Sequence, residues 1–129
     1  LLFASGGHAV TTLTFEGLQD LEAIQDFYNG GTGGNGSGPG PNEGVAFSSN
    51  SLAIIDNDVP GGTGNIGGEP SPSFLGGAAA TMNVPAGFDT GFSFFYSAIN
   101  QPGGVTVYDG LNNFGASLKT ELSNRQRNK

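Results

Sequence analysis

Residues 10–31 read VTTLTFEGLQDLEAIQDFYNGG, and the fold turns on how the spacing of their apolar positions changes. From 10 to 16, Thr11, Leu13 and Phe15 alternate with Thr12, Thr14 and Glu16, the two-residue repeat of a half-buried strand. After Gly17 the spacing widens. Leu18, Leu21 and Ile24, closed by Phe27 or Tyr28, recur every three to four residues. That pattern predicts one short amphipathic helix near residues 18–28, stopped by Asn29 and Gly30.

On the C-terminal side, residues 29–44 (NGGTGGNGSGPGPNEG) hold eight glycines and two prolines. Such a loop is costly to order and is expected at the surface. Strand signals resume at 45–48 and 51–56, a second turn-rich stretch runs from 57 to 73, and further β runs follow at 78–84, 90–97 and 104–109. In 90–97 the pleat puts Phe92, Phe94 and Tyr96 on one face and Ser93, Phe95 and Ser97 on the other. In 104–109 it points Val105 and Val107 inward, and Thr106 and Tyr108 outward. With 24 Gly and 7 Pro in 129 residues, long helices are excluded and turns must be frequent. Short antiparallel strands joined by long loops predict a mainly β fold, an antiparallel β-sandwich of jelly-roll type carrying the one short helix.

At the N-terminal end, Leu1 to Ala4 and the small residues up to Ala9 read as the remnant of a clipped export signal over 1–9, the alternative being an ordinary apolar first strand. The sandwich domain then spans 10–113. Residues 114–129 read as a divergent basic tail, because Lys119, Arg125, Arg127 and Lys129 are the four basic residues of the chain. A solvated, inert terminus is the ordinary role of such a tail.

That charge distribution excludes several functions. Residues 1–118 carry acids and no Lys or Arg, so a phosphate backbone is repelled and nucleic acid is not expected as a partner. Kinase and P-loop chemistry lack their cation. Two stretches match GxGxxG, at Gly31, Gly33, Gly36 and at Gly62, Gly64, Gly67, but Pro39 and Pro41 or Pro70 and Pro72 follow and forbid the helix a dinucleotide site needs. There is no Cys, and the single His8 lies in the signal remnant, so thiol, zinc–cysteine and Ser-His-Asp chemistry fall away. Carboxylate pairs survive, with Glu16, Glu43 and Glu69 as possible members, yet nothing in their spacing pairs them. The expectation is a protein that is not an enzyme. No apolar run is long enough for a membrane span.

The runs FEGLQDLEAIQDFYNGG, GSGPGPNEGVAFSSNSLAIID, GGEPSPSF, GGAAATMNVPAGFDTGFSFFYSAI and VTVYDGLN, in order over about residues 13–112, resemble secreted bacterial proteins of the PEP-CTERM sorting-domain group, common in cyanobacteria. The resemblance implies an exported β-sandwich ectodomain ending in a Pro-Glu-Pro signal, a membrane span and a basic cluster, in bacteria that make exopolysaccharide. It supplies no catalytic residues. This chain departs from the pattern at its end: no Pro-Glu-Pro, span or anchor follows, and Glu69-Pro70 belongs to an internal loop. The domain is therefore expected to be incomplete at the C-terminus, with no closing strand after the YDGLN run.

The expected role is thus a secreted, non-enzymatic ectodomain of the bacterial envelope or extracellular polysaccharide matrix, with exopolysaccharide or other envelope components as partners. The alternative is a calcium-assisted carbohydrate-binding module. Asp56-Asn57-Asp58 begins like an EF-hand loop, but Pro60 and Gly67 stand where ligands are required. A looser calcium site would draw on Glu16, Asp56 and Asp58, whose ordinary role is to end strands and form turns. Sugar would stack on the outward aromatics Phe95 and Tyr108, which otherwise pack under loops.

Overall fold

The computed structural model describes residues 2–4, 10–65, 73–76, 79–88, 91–93 and 103–122. Its elements are almost all strands: β1 (Leu2–Ala4), β2 (Val10–Thr12), β3 (Ala46–Phe47), β4 (Ser51–Ile54), β5 (Ser73–Gly76), β6 (Met82–Asn83), β7 (Phe92–Ser93), β8 (Gly103–Tyr108) and β9 (Ser117–Leu122). Pairing between the described strands is antiparallel. Among the described residues it builds a three-stranded sheet in the order β2-β1-β7 and three two-stranded ladders, β3-β6, β4-β5 and β8-β9. The fold is mainly β.

The helix expected over 18–28 is not there: the described residues contain no α-helix, and this stretch is a succession of turns. Its backbone pairs across the chain instead. The amides of Leu21 and Ile24 donate to the carbonyls of Ala53 and Ser51 at 2.8 and 2.9 Å, and Ala53 returns a bond to Glu22 at 2.8 Å. Residues 21–24 therefore lie along the edge of β4. Further on, Phe47 donates to Gln25, and Glu43 to Tyr28. Leu21 and Gln25 have φ of 58° and 47°, left-handed values that break a helix wherever they occur. The apolar stripe was read correctly as the buried one, since Leu18, Ile24, Phe27 and Tyr28 are in the core. Leu21 is the exception and is exposed.

The alternation in 10–16 survives in burial, with Leu13 and Phe15 buried and Thr12, Thr14 and Glu16 exposed. The ladder stops at Thr12, and Phe15 takes φ of 63°. A conformation so unfavourable for a bulky residue is held by its surroundings. The Phe15 amide donates to the Tyr28 hydroxyl, and its ring meets Tyr28 edge-on at 5.8 Å and Phe47 at 6.2 Å. Together with Leu13, Leu18, Ile24, Phe27, Val45 and Ala53 these rings make one core, against which Met82, Val84, Phe88 and Phe92 pack. Burial pushes the Tyr28 phenol above its ordinary value, with the nearby Glu16 charge adding to the effect. Tyr28→Phe is expected to cost about 1–2 kcal/mol, because the buried Phe15 amide loses its acceptor. Urea unfolding checks this, and an unchanged midpoint would show that water replaces the hydroxyl.

The tail holds the second correction. Residues 117–122 read SLKTEL, alternate, and contain neither Gly nor Pro, so they can form a strand. They pair with β8 over its whole length, from Gly103↔Leu122 to Tyr108↔Ser117. A strand does follow the YDGLN run. Its turn is tied by the Asp109 carboxylate, which accepts from Ala116 at 2.8 Å, and by reciprocal bonds between Asn83 and Asn112. The pair β4-β5 likewise places a strand at 73–76, at the end of a stretch read as turns. Leu2–Ala4, within the expected signal remnant, form the strand between β2 and β7. No helix among the described residues is long and apolar enough to cross a membrane.

Candidate functional site

Two carboxylates of the irregular segment, Asp20 and Glu22, organise its surroundings. Glu22 is fully buried and has no basic residue to pair with anywhere before Lys119. Its charge is met by hydrogen bonds. Oε2 accepts from the Gln19 amide at 2.7 Å and the Ser37 hydroxyl at 2.6 Å, and Oε1 accepts from the amides of Asn35 at 2.9 Å and Ser37 at 3.1 Å. A carboxylate has about four lone-pair sites, so Glu22 is saturated. Burial opposes its ionisation, but the bonds from Gln19, Ser37 and Asn35 outweigh it and hold the carboxyl below the ordinary glutamate range.

The Gly-rich loop can reach this carboxylate because Gly33 lies against it. A Cβ at Gly33 would stand 2.5 Å from Glu22 Oε1 and 2.8 Å from Leu18 Cδ2. The loop expected at the surface is thus mostly exposed but dips into the interior at Gly33, which is buried. Bonds from Gly33 to Ser37, Gly34 to Ala23 and Gly40 to Gly31 complete its order.

Asp20 does for the second turn-rich stretch what Glu22 does for the first. It accepts from the Ile55 amide at 2.8 Å and the Thr63 hydroxyl at 2.6 Å. The Thr63 bond holds its carboxyl below the ordinary value against partial desolvation, assisted by Ile55. A cleft of about 420 Å³ opens beside it, lined by Leu18, Gln19, Asp20, Ile55, Pro60 and Gly61.

The residues singled out for calcium are not gathered. Among the described residues no three of His, Cys, Asp or Glu are placed to hold a metal, and Glu16, Asp56 and Asp58 are all described. Asp56 is buried in the loop closed by its bridge to Gly64 and accepts from the Asp58 amide at 3.4 Å. Asp58 is exposed, and Glu16 sits at the turn after Phe15, exposed, near Tyr28. Of the aromatics proposed for sugar, Tyr108 is half-buried, and Phe95 lies outside the described residues. So do Glu69, Phe94 and Tyr96. Sequence reasoning passed over Asp20 and Glu22. The available signal was an acid inside an apolar stripe, with no cation to pair with and a run of unhindered glycine amides next in sequence.

No family model, curated protein or solved structure was found to match the chain.

Proposed function

We propose that the chain is a secreted, non-enzymatic ectodomain of the bacterial envelope or extracellular polysaccharide matrix, a β-sandwich of jelly-roll type with a structural or interaction role. The observation that carries this reading is the use made of its carboxylates. Glu22 is saturated by loop donors, and both Glu22 and Asp20 are held as anions. A general acid at neutral pH needs the opposite, a carboxyl tuned upward. The acids serve to order the glycine-rich, turn-rich loops around them, and the product is a shaped surface. Resemblance to exported ectodomains of the PEP-CTERM group supports the location.

Cell fractionation tests the location. An epitope-tagged protein from the native gene should be recovered from the envelope or polysaccharide fraction, and recovery from the cytosol would overturn the reading. N-terminal sequencing of the same material shows whether residues 1–9 are removed or kept as β1. A glycan array run with and without calcium tests the role, and a purely structural ectodomain should leave it blank. Calcium-dependent binding lost on Tyr108→Ala would favour a carbohydrate-binding module.

A further inference from the structure

We propose that Asn35-Gly36 is a site of spontaneous deamidation governed by the Glu22 carboxylate, and that the modification permanently opens the Gly-rich loop. The reaction joins the Gly36 amide nitrogen to Asn35 Cγ and breaks the Cγ–Nδ2 bond. Nδ2 leaves as ammonia, taking the proton from the Gly36 nitrogen. Water then opens the succinimide at either carbonyl, leaving aspartate or isoaspartate at position 35. The residue after the asparagine must have no side chain in the way, and Gly36 meets this condition: its φ is 91°, and a Cβ there would meet nothing within 4 Å. Asn35 is exposed, so its amide is open to solvent.

The closed loop blocks the first step. The attacking nitrogen donates its proton to the Gly33 carbonyl at 3.0 Å. On either side, the amides of Asn35 and Ser37 are anchored to the same oxygen, Glu22 Oε1. The Gly36 peptide plane cannot turn its nitrogen onto Cγ while both anchors hold, so reaction proceeds from the fraction of molecules in which the loop has opened. The products do not reclose. Either one places a new carboxylate on the residue that donates to Glu22, where like charges repel. Isoaspartate also inserts a methylene into the backbone between the two anchors, so both can no longer reach Oε1.

Asn29-Gly30 is an internal comparison. Its dipeptide is the same, but Asn29 is bridged to Asn42, a Cβ at Gly30 would stand 3.3 Å from Asn42, and neither residue is bonded to Glu22. Because residues 1–118 have no Lys or Arg, cleavage at glutamate is used. In the wild-type chain it releases one peptide, 23–43, that carries both sites. The full chain is aged at neutral pH, folded or in urea, and the two sites are followed by tandem mass spectrometry. In urea they should react at similar rates. In the folded chain both should be slow, and Ser37→Ala, which removes one of the four bonds to Glu22, should speed Asn35 alone. Glu22→Gln should do so more strongly, roughly tenfold or more, which corresponds to about 1.4 kcal/mol of lost closure. Three results would overturn the proposal: Asn35 reacting as fast folded as in urea, neither variant accelerating it, or both sites accelerating together, which would mean global unfolding.

Discussion

Glu22→Ala should lower the stability of the folded chain by about 3–5 kcal/mol, a large part of the roughly 5–15 kcal/mol of a typical domain. The substitution strands the Gln19, Asn35 and Ser37 donors that converge on one buried carboxylate. A buried donor without an acceptor costs about 1–3 kcal/mol. The sum is not reached in full, because the loop can swing into water and hydrate its amides. Glu22→Gln should also destabilise, since it replaces one acceptor oxygen by a donor that faces donors. The urea midpoint should fall with little change in slope. A shift below about 1 kcal/mol, the net worth of an ordinary hydrogen bond, would mean the loop orders itself without Glu22. The same carboxylate sets an acid limit. Its folded value is depressed, so its contribution is fully present above the ordinary glutamate value of about 4.3. It is lost as pH falls through the lower folded value. Asp20, also depressed, acts in the same direction. Stability of wild type should therefore begin to fall as pH drops below about 4, and Glu22→Gln should flatten that dependence.

Phe27→Ala should cost a comparable amount, about 3–5 kcal/mol. The Phe27 ring is buried, meets Tyr28 edge-on at 5.3 Å, and lies 3.3 Å from where a Cβ at Gly17 would stand. Its backbone and ring also lie against Gly40, on the far side of the Gly-rich loop. Removing the ring leaves a cavity between two backbone segments that are already bonded elsewhere and cannot easily collapse into it. Calorimetry should show a lower Tm with the transition still cooperative. A loss under about 1 kcal/mol would show that the loop relaxes onto the vacated space, since residual cavity volume sets the cost.

The sequence was most legible where one residue's burial follows from its neighbours in the chain. The alternation of Leu13 and Phe15 with Thr12, Thr14 and Glu16 reads directly as inside and outside. Burial at Leu18, Ile24, Phe27 and Tyr28 was legible too, although the helix inferred from their spacing was not formed. Tight turns and helical turns both bring residues three and four apart to one side. The choice between them lies with distant partners, here the free carbonyls of β4 that accept from Leu21 and Ile24. Strand β9 was obscured by composition. Its basic residue and lack of glycine set it apart from the body, while its alternation and its pairing with β8 make it part of the fold. The roles of Asp20 and Glu22 were hidden for a further reason. Their partners are backbone amides and hydroxyls up to 43 residues away, for Asp20 and Thr63, and amides have no residue identity to read.

The central role assigned to Glu22 is that of an ionised, hydrogen-bonded organiser of the Gly-rich loop, and its side-chain carboxyl can be observed directly. Carbon-13 NMR of the folded chain, titrated downward from neutral pH, should show the Glu22 carboxyl protonating below the ordinary glutamate range. The amide signals of Asn35 and Ser37 should move at the same midpoint, because both donate to Oε1. A Glu22 carboxyl that titrates at or above the ordinary value, with those two amides unresponsive, would contradict the assignment.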